Sequence, residues 1–125
     1  MKLVDQDGND VNPTTDRVYI LSIPYSYDPE ASFSRSVRIV KWFRDQGLII
    51  FSPIMHTHPY HIKCLEENPN HTDDYYDWDI SLYTVMKSNA TIVLTKDYDI
   101  SKGCKIEMDW AIAESVPMLY IEEFD

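Results

Sequence analysis

The sequence predicts an α/β fold: a mainly parallel sheet of four to five strands with helices on both faces. Three observations lead there. Short apolar runs bounded by turn residues alternate with longer stretches of helical periodicity. The runs R-V-Y-I-L-S-I, L-I-I-F-S and A-T-I-V-L-T are nearly continuously apolar, as suits parallel strands buried on both faces. Their order is strand-helix-strand-helix-strand-helix-strand, which folds into a Rossmann-like or flavodoxin-like three-layer sandwich.

Residues 1–16 precede this alternation and read as an N-terminal extension or edge hairpin, with Asp7-Gly8 as the turn signal. Asn12-Pro13-Thr14-Thr15 breaks the pattern, and the main domain is expected over 17–125. The first strand runs from Arg17 to Ile23. Pro24 to Pro29 is a loop. A helix follows to Gln46, with Phe33, Val37, Val40 and Phe43 as its apolar stripe. Asp28 is its expected N-cap, Pro29 its first residue and Gly47 its stop. The second strand spans Leu48 to Ser52. Pro53 to Thr72 carries three prolines and all four histidines and reads as irregular. A helix is expected over 73–88, with Ile80, Leu82, Tyr83 and Met86 on its apolar side. The third strand covers 90–95, the last main helix 101–115, and the fourth strand 116–121. Ligands of such folds sit beyond the C-terminal strand ends, here segments 22–29, 53–60 and 95–103.

A chain of 125 residues holds one domain with a real core. Its 21 acidic and 11 basic residues give a net charge of −10, which argues against a nucleic-acid polymer as partner. No apolar run approaches the roughly 18–20 residues of a membrane span. The start M-K-L-V-D-Q-D-G-N-D is polar within a few residues, so a signal peptide is not expected. Cys64 and Cys104 form no metal-type pair, and a reduced, cytoplasmic protein is the plain reading.

Three motifs carry chemistry. In S-K-G-C-K-I-E, Ser101 caps a helix, Gly103 leaves its first turn open to an anion, and Glu107 follows one turn later on the same face. A capped surface helix with an exposed glutamate fits the same spacing. In Y-Y-D-W-D, Asp77 or Asp79 is a candidate general acid beside aromatic groups, or part of an acidic first turn facing the helix dipole. In F-S-P-I-M-H-T-H-P-Y-H, His56, His58 and His61 read as a pocket wall. No ligand spacing accompanies them, so no metal and no cofactor are expected.

Together and in this order, these segments resemble the nucleoside 2-deoxyribosyltransferase-like family, most closely an uncharacterised bacterial and phage branch. Tyr19 to Ser26 resembles its first-strand motif. F-S-P-I-M-H-T-H-P, from Phe51 to Pro59, resembles the segment after its second strand. Ser101, Gly103 and Glu107 fit its S-x-G-x-x-x-E. The match covers residues 17 to 121. The resemblance implies cleavage or exchange of the N-glycosidic bond of a nucleoside or nucleoside 5′-monophosphate. Glu107 would attack C1′ and form a glycosyl-enzyme intermediate, Tyr19 would orient that carboxylate, and Asp79 would protonate the leaving base. Ser101, Gly103 and the helix N-terminus would hold a 5′-phosphate or 5′-hydroxyl. Ser22, Tyr25, Ser26, His56, His58 and Asp77 complete the substrate-binding set. Asp97 and Asp99 stand near that end and would repel an anion. The resemblance also implies a homodimer or homotetramer. A non-catalytic nucleotide-binding module and a small acidic interaction protein are the other two readings.

Overall fold

The computed structural model describes residues 1–123. Its strands are β1 (Lys2–Val4), β2 (Asp10–Val11), β3 (Val18–Ser22), β4 (Ile49–Phe51), β5 (Ala90–Leu94) and β6 (Met118–Glu122). Its helices are α1 (Pro29–Arg44), α2 (Pro53–Glu67), α3 (Tyr76–Met86) and α4 (Lys102–Ala113). Short 3-10 turns occupy Lys87–Asn89 and Tyr98–Ile100.

One six-stranded sheet has the order β2-β1-β6-β5-β3-β4. The four strands from β4 to β6 are parallel, in register Val18↔Ile49, Val18↔Ala90 and Ile92↔Met118. The expected α/β class and mainly parallel sheet are therefore present. The sheet is wider than four to five strands because residues 1–16 supply two more. Strand β1 pairs antiparallel with β6, Leu3 opposite Ile121, and Leu3 and Val4 are buried. Gly8 turns the hairpin at φ +83°, a conformation costly for a residue with a Cβ.

Period-two alternation along β3 splits the core into two layers. Tyr19, Leu21 and Ile23 pack with Ile39, Val40 and Phe43 of α1 and Ile54 of α2. Ile20 packs on the opposite face with Tyr83 of α3 and with Cys104, Trp110 and Ala111 of α4. The helices following β3 and β5 thus cover opposite faces, which opens a crevice between the C-terminal ends of these neighbouring strands.

The stretch expected to be irregular is largely a helix. Ser52 caps α2 by accepting from Met55 N at 3.2 Å, and Pro53 takes its first position, where no N–H is needed. Only Pro59 lies inside, so the three prolines count as breakers less than their number suggests. Helix α3 starts at Tyr76 rather than at Asp73. Asp73 and Asp74 instead accept from the N–H groups of Tyr75 (2.8 Å) and Tyr76 (3.2 Å). Asp28 and Gly47 bound α1 as expected, the cap accepting from Ala31 N at 3.1 Å and Gly47 lying at φ +72°.

Arg35 ties α1 to two loops. Its guanidinium donates to Asp97 at 2.9 and 3.1 Å and to Glu123 at 2.7 Å, and Thr95 Oγ1 donates to Asp97 at 2.7 Å. Burial works against the charge of Asp97, but the Arg35 and Thr95 hydrogen bonds outweigh it and hold the carboxyl below its ordinary pKa. Asp97 is therefore compensated, unlike the free repulsive charge expected of it. Arg35→Ala should cost about 1–2 kcal/mol in denaturant unfolding, since two part-buried carboxylates lose their partner in an already acidic chain. A loss below a few tenths would show the network to be ornamental.

Candidate active site

Most of the pocket wall comes from the three strand-end segments and the start of α3. Its cavity of 380 Å³ is lined by Tyr25 and Ser26 after β3, by Pro53, Ile54 and Thr57 at the start of α2, and by Ser101, Gly103 and Glu107 of α4. Asp73, Asp74, Tyr75, Tyr76 and Asp79 close it from the α3 side. The crevice between β3 and β5 is therefore occupied by chemistry-bearing side chains.

Helical spacing arranges the centre. Gly103 and Glu107 lie four residues apart on α4, and Asp79 and Tyr83 lie four apart on α3, so each pair shares a face. The Tyr83 hydroxyl donates to Glu107 Oε2. Its ring is fully buried and is braced by Trp110 (centroids 5.5 Å) and Phe51 (6.5 Å). Ser22 is buried beside Glu107 and Cys104, near enough to favour the ionised form of each, yet its Oγ meets no partner at hydrogen-bond geometry.

Burial raises both carboxyls. Asp79 is pushed up to about 7, and its buried Oδ1 has no hydrogen-bond partner. Glu107 is pushed up to about 8, chiefly by burial, against the Tyr83 hydrogen bond and with a smaller contribution from the Asp79 charge. The two groups titrate as a pair. When one proton leaves, a donor meets the charge on Glu107, whereas none meets it on Asp79 Oδ1. The Tyr83 hydrogen bond thus works toward the ionised form of Glu107, while burial, the larger cause, holds protons on both carboxyls toward neutral pH.

Tyr19 does not orient Glu107. It lies on the other face of β3, its ring tilted against Phe43 with centroids 5.3 Å apart, and its hydroxyl accepts from Thr14 N at 2.8 Å. Strand parity decides this: Tyr19 and Ser22 are three residues apart and point to opposite faces. The hydroxyl that meets Glu107 is that of Tyr83. Tyr83→Phe is expected to lower the rate at Glu107 by about tenfold to a hundredfold and to move its pH limb upward, because the donor that favours the anion is gone. Tyr19→Phe should leave the rate unchanged and cost about 1 kcal/mol of stability. Equal rate effects of the two variants would contradict the assignment.

The histidines separate. His56 and His58 are two residues apart on a helix, about 200° around its axis, and cannot share a wall. His56 is exposed and meets Trp78 edge-on, ring centroids 4.5 Å apart, outside the lining. His58 is buried behind the wall, bonded through Nδ1 to Tyr25 (2.5 Å) and through Nε2 to Glu30 (3.0 Å), and so positions Tyr25. His61 reaches the lining, with Nδ1 bonded to the Tyr75 hydroxyl at 2.9 Å. Asp77 is exposed and outside the lining, so of the two acids in Y-Y-D-W-D it is Asp79 that reaches the cavity. Tyr75 begins α3 at φ +60°, a strained conformation for a bulky residue, and its ring is turned into the pocket wall.

Cys104 lines the pocket floor, but burial raises its thiol further from ionisation, so it is no ready nucleophile. Among the described residues, no group of three or more His, Cys, Asp or Glu side chains is arranged to hold a metal ion. Also among them, no helix is long and apolar enough to cross a membrane. No family model matches the chain, nor does a curated protein or a solved structure.

Proposed function

We propose that the protein cleaves or exchanges the N-glycosidic bond of a nucleoside or nucleoside 5′-monophosphate. One observation carries this reading: Glu107, met by a buried tyrosine hydroxyl, and Asp79, a half-buried carboxyl whose buried Oδ1 has no partner, line one 380 Å³ cavity at the strand ends. The cavity suits a sugar and a base. A transition state of oxocarbenium character needs a carboxylate at C1′ and a proton donor at the leaving base. Glu107 attacks C1′, the bond to the base breaks, and Asp79 gives its proton to the departing nitrogen. A water molecule, activated by the now ionised Asp79, then releases the sugar in a hydrolase. A second base takes it in a transferase. The resemblance to the nucleoside 2-deoxyribosyltransferase-like family supports the same roles for Glu107 and Asp79. It also supports a homodimer or homotetramer in the cytoplasm.

A second reading has its own observation. Burial holds Glu107 at about 8, and a protonated glutamic acid is a poor nucleophile. A binding module of the same fold, retaining a nucleoside without turnover, fits that state. Base release across a pH series, from a panel of ribo- and deoxyribonucleosides and their 5′-monophosphates, separates the two. Release that rises with pH through the neutral range supports the enzyme. No release at any pH, with the protein folded and a panel member bound, supports the module.

A further inference from the structure

The α4 N-terminus is not the open anion cradle that its sequence predicts. Ser101 Oγ is used as the helix cap, accepting from Cys104 N at 3.2 Å. The side chain of Tyr76 covers Gly103: a β-carbon there would lie 3.4 Å from Tyr76 Cε1 and 3.7 Å from its hydroxyl. Gly103 makes room for a tyrosine. The phenol also stands close to Asp74 and Glu107, whose charges, after burial, hold its pKa up and keep it a neutral hydroxyl.

The rest of the wall repels anions. Asp73, Asp74, Asp79 and Glu107 line the cavity, and among the described residues no lysine or arginine does. Lys102 and Lys105 of the same helix are exposed and outside the lining. Its histidine, His61, has Nδ1 engaged by Tyr75 at 2.9 Å.

We infer that Tyr76, with Asp73 and Asp74 at the mouth, restricts the pocket to nucleosides with a free 5′-hydroxyl, and that the Tyr76 hydroxyl meets that 5′-hydroxyl. The inference rests on the nucleoside-processing reading and narrows it. A dianionic 5′-phosphate would displace the ring and face two carboxylates with no cation to offset them. A hydroxyl both donates and accepts, and it fits beside a phenol.

The test compares kcat/KM for one nucleoside and its 5′-monophosphate in wild type, Tyr76→Phe and Tyr76→Ala. Wild type should prefer the nucleoside by about 100-fold. Tyr76→Phe should lose about tenfold on the nucleoside with no gain on the monophosphate. Tyr76→Ala should narrow the preference at least tenfold by admitting the phosphate to the helix N-terminus. A wild-type preference for the monophosphate, or a preference unchanged in Tyr76→Ala, would overturn the inference and leave N-glycosidic cleavage standing. Calorimetric binding of an uncleavable C-nucleoside and its 5′-monophosphate to wild type runs beside it. Tighter binding of the C-nucleoside, with no base released from any substrate, would keep the selectivity and sink the catalytic reading. Binding of neither compound, or tighter binding of the phosphate, overturns the inference.

Discussion

Glu107→Gln is expected to lower base release by about a thousandfold or more while leaving the fold intact. The amide keeps the volume of the carboxylate and still accepts from Tyr83, so packing around the buried ring persists. What it loses is the attacking lone pair with its negative charge. The complementary measurement is covalent. A 2-fluoro-substituted nucleoside slows breakdown of the glycosyl ester, and the added sugar mass should appear on the tryptic peptide beginning at Ile106. The same mass on another peptide would move the nucleophile elsewhere. Full activity in Glu107→Gln would end the glycosyl-enzyme mechanism altogether.

Asp79→Asn should show two opposite effects, slower catalysis and a more stable fold. Without its proton donor, release of an ordinary base should fall by about 10²–10⁴-fold. Release of a leaving group that needs no proton, such as nitrophenolate, should fall much less. The stability effect follows from burial. Unfolded, an aspartate titrates at about 3.9. Folded, Asp79 is held at about 7. Below about pH 4 both states are protonated and the group costs nothing. Between these values the unfolded chain releases a proton that the folded chain keeps, so stability falls as pH rises and the loss is complete above about pH 7. Asparagine removes that loss. The variant should gain about 1–3 kcal/mol at about pH 8.5, roughly 5 °C or more in Tm, and close to nothing at about pH 4. The lower end allows for the partly open pocket. An equal gain at both pH values would show that the carboxyl is not held out of water.

Both effects depend on α3, whose role in the site was only half legible. Asp79 stood out by its motif. Tyr83 did not, because a tyrosine on an apolar helical stripe reads as core, and Tyr83 is indeed fully buried. The available signal was its spacing of four from Asp79, which puts a hydroxyl and a carboxyl on one face. The face of Tyr19 follows from a rule equally available in the sequence, since odd spacing in a strand reverses the face. The histidines were misplaced for a different reason. Three prolines made residues 53–72 look irregular, and only a helix separates His56, His58 and His61 onto different sides.

The sequence by itself determined the parallel sheet, the helix caps at Asp28 and Ser101, and the shared face of Gly103 and Glu107. These follow from local periodicity and backbone hydrogen bonding, which act over a few residues. It also placed the site at the strand ends, because an alternating α/β order leaves its loops there. Tertiary structure decided which side chains meet Glu107. The Tyr83 hydroxyl and the Asp79 charge reach it from α3, 24 and 28 positions away in the chain, and Tyr76 covers the helix end at Gly103. No local pattern encodes such meetings. They arise from packing α3 against α4 over one face of the sheet, and that packing also removes water and raises the two carboxyls into the range where they can exchange a proton near neutral pH.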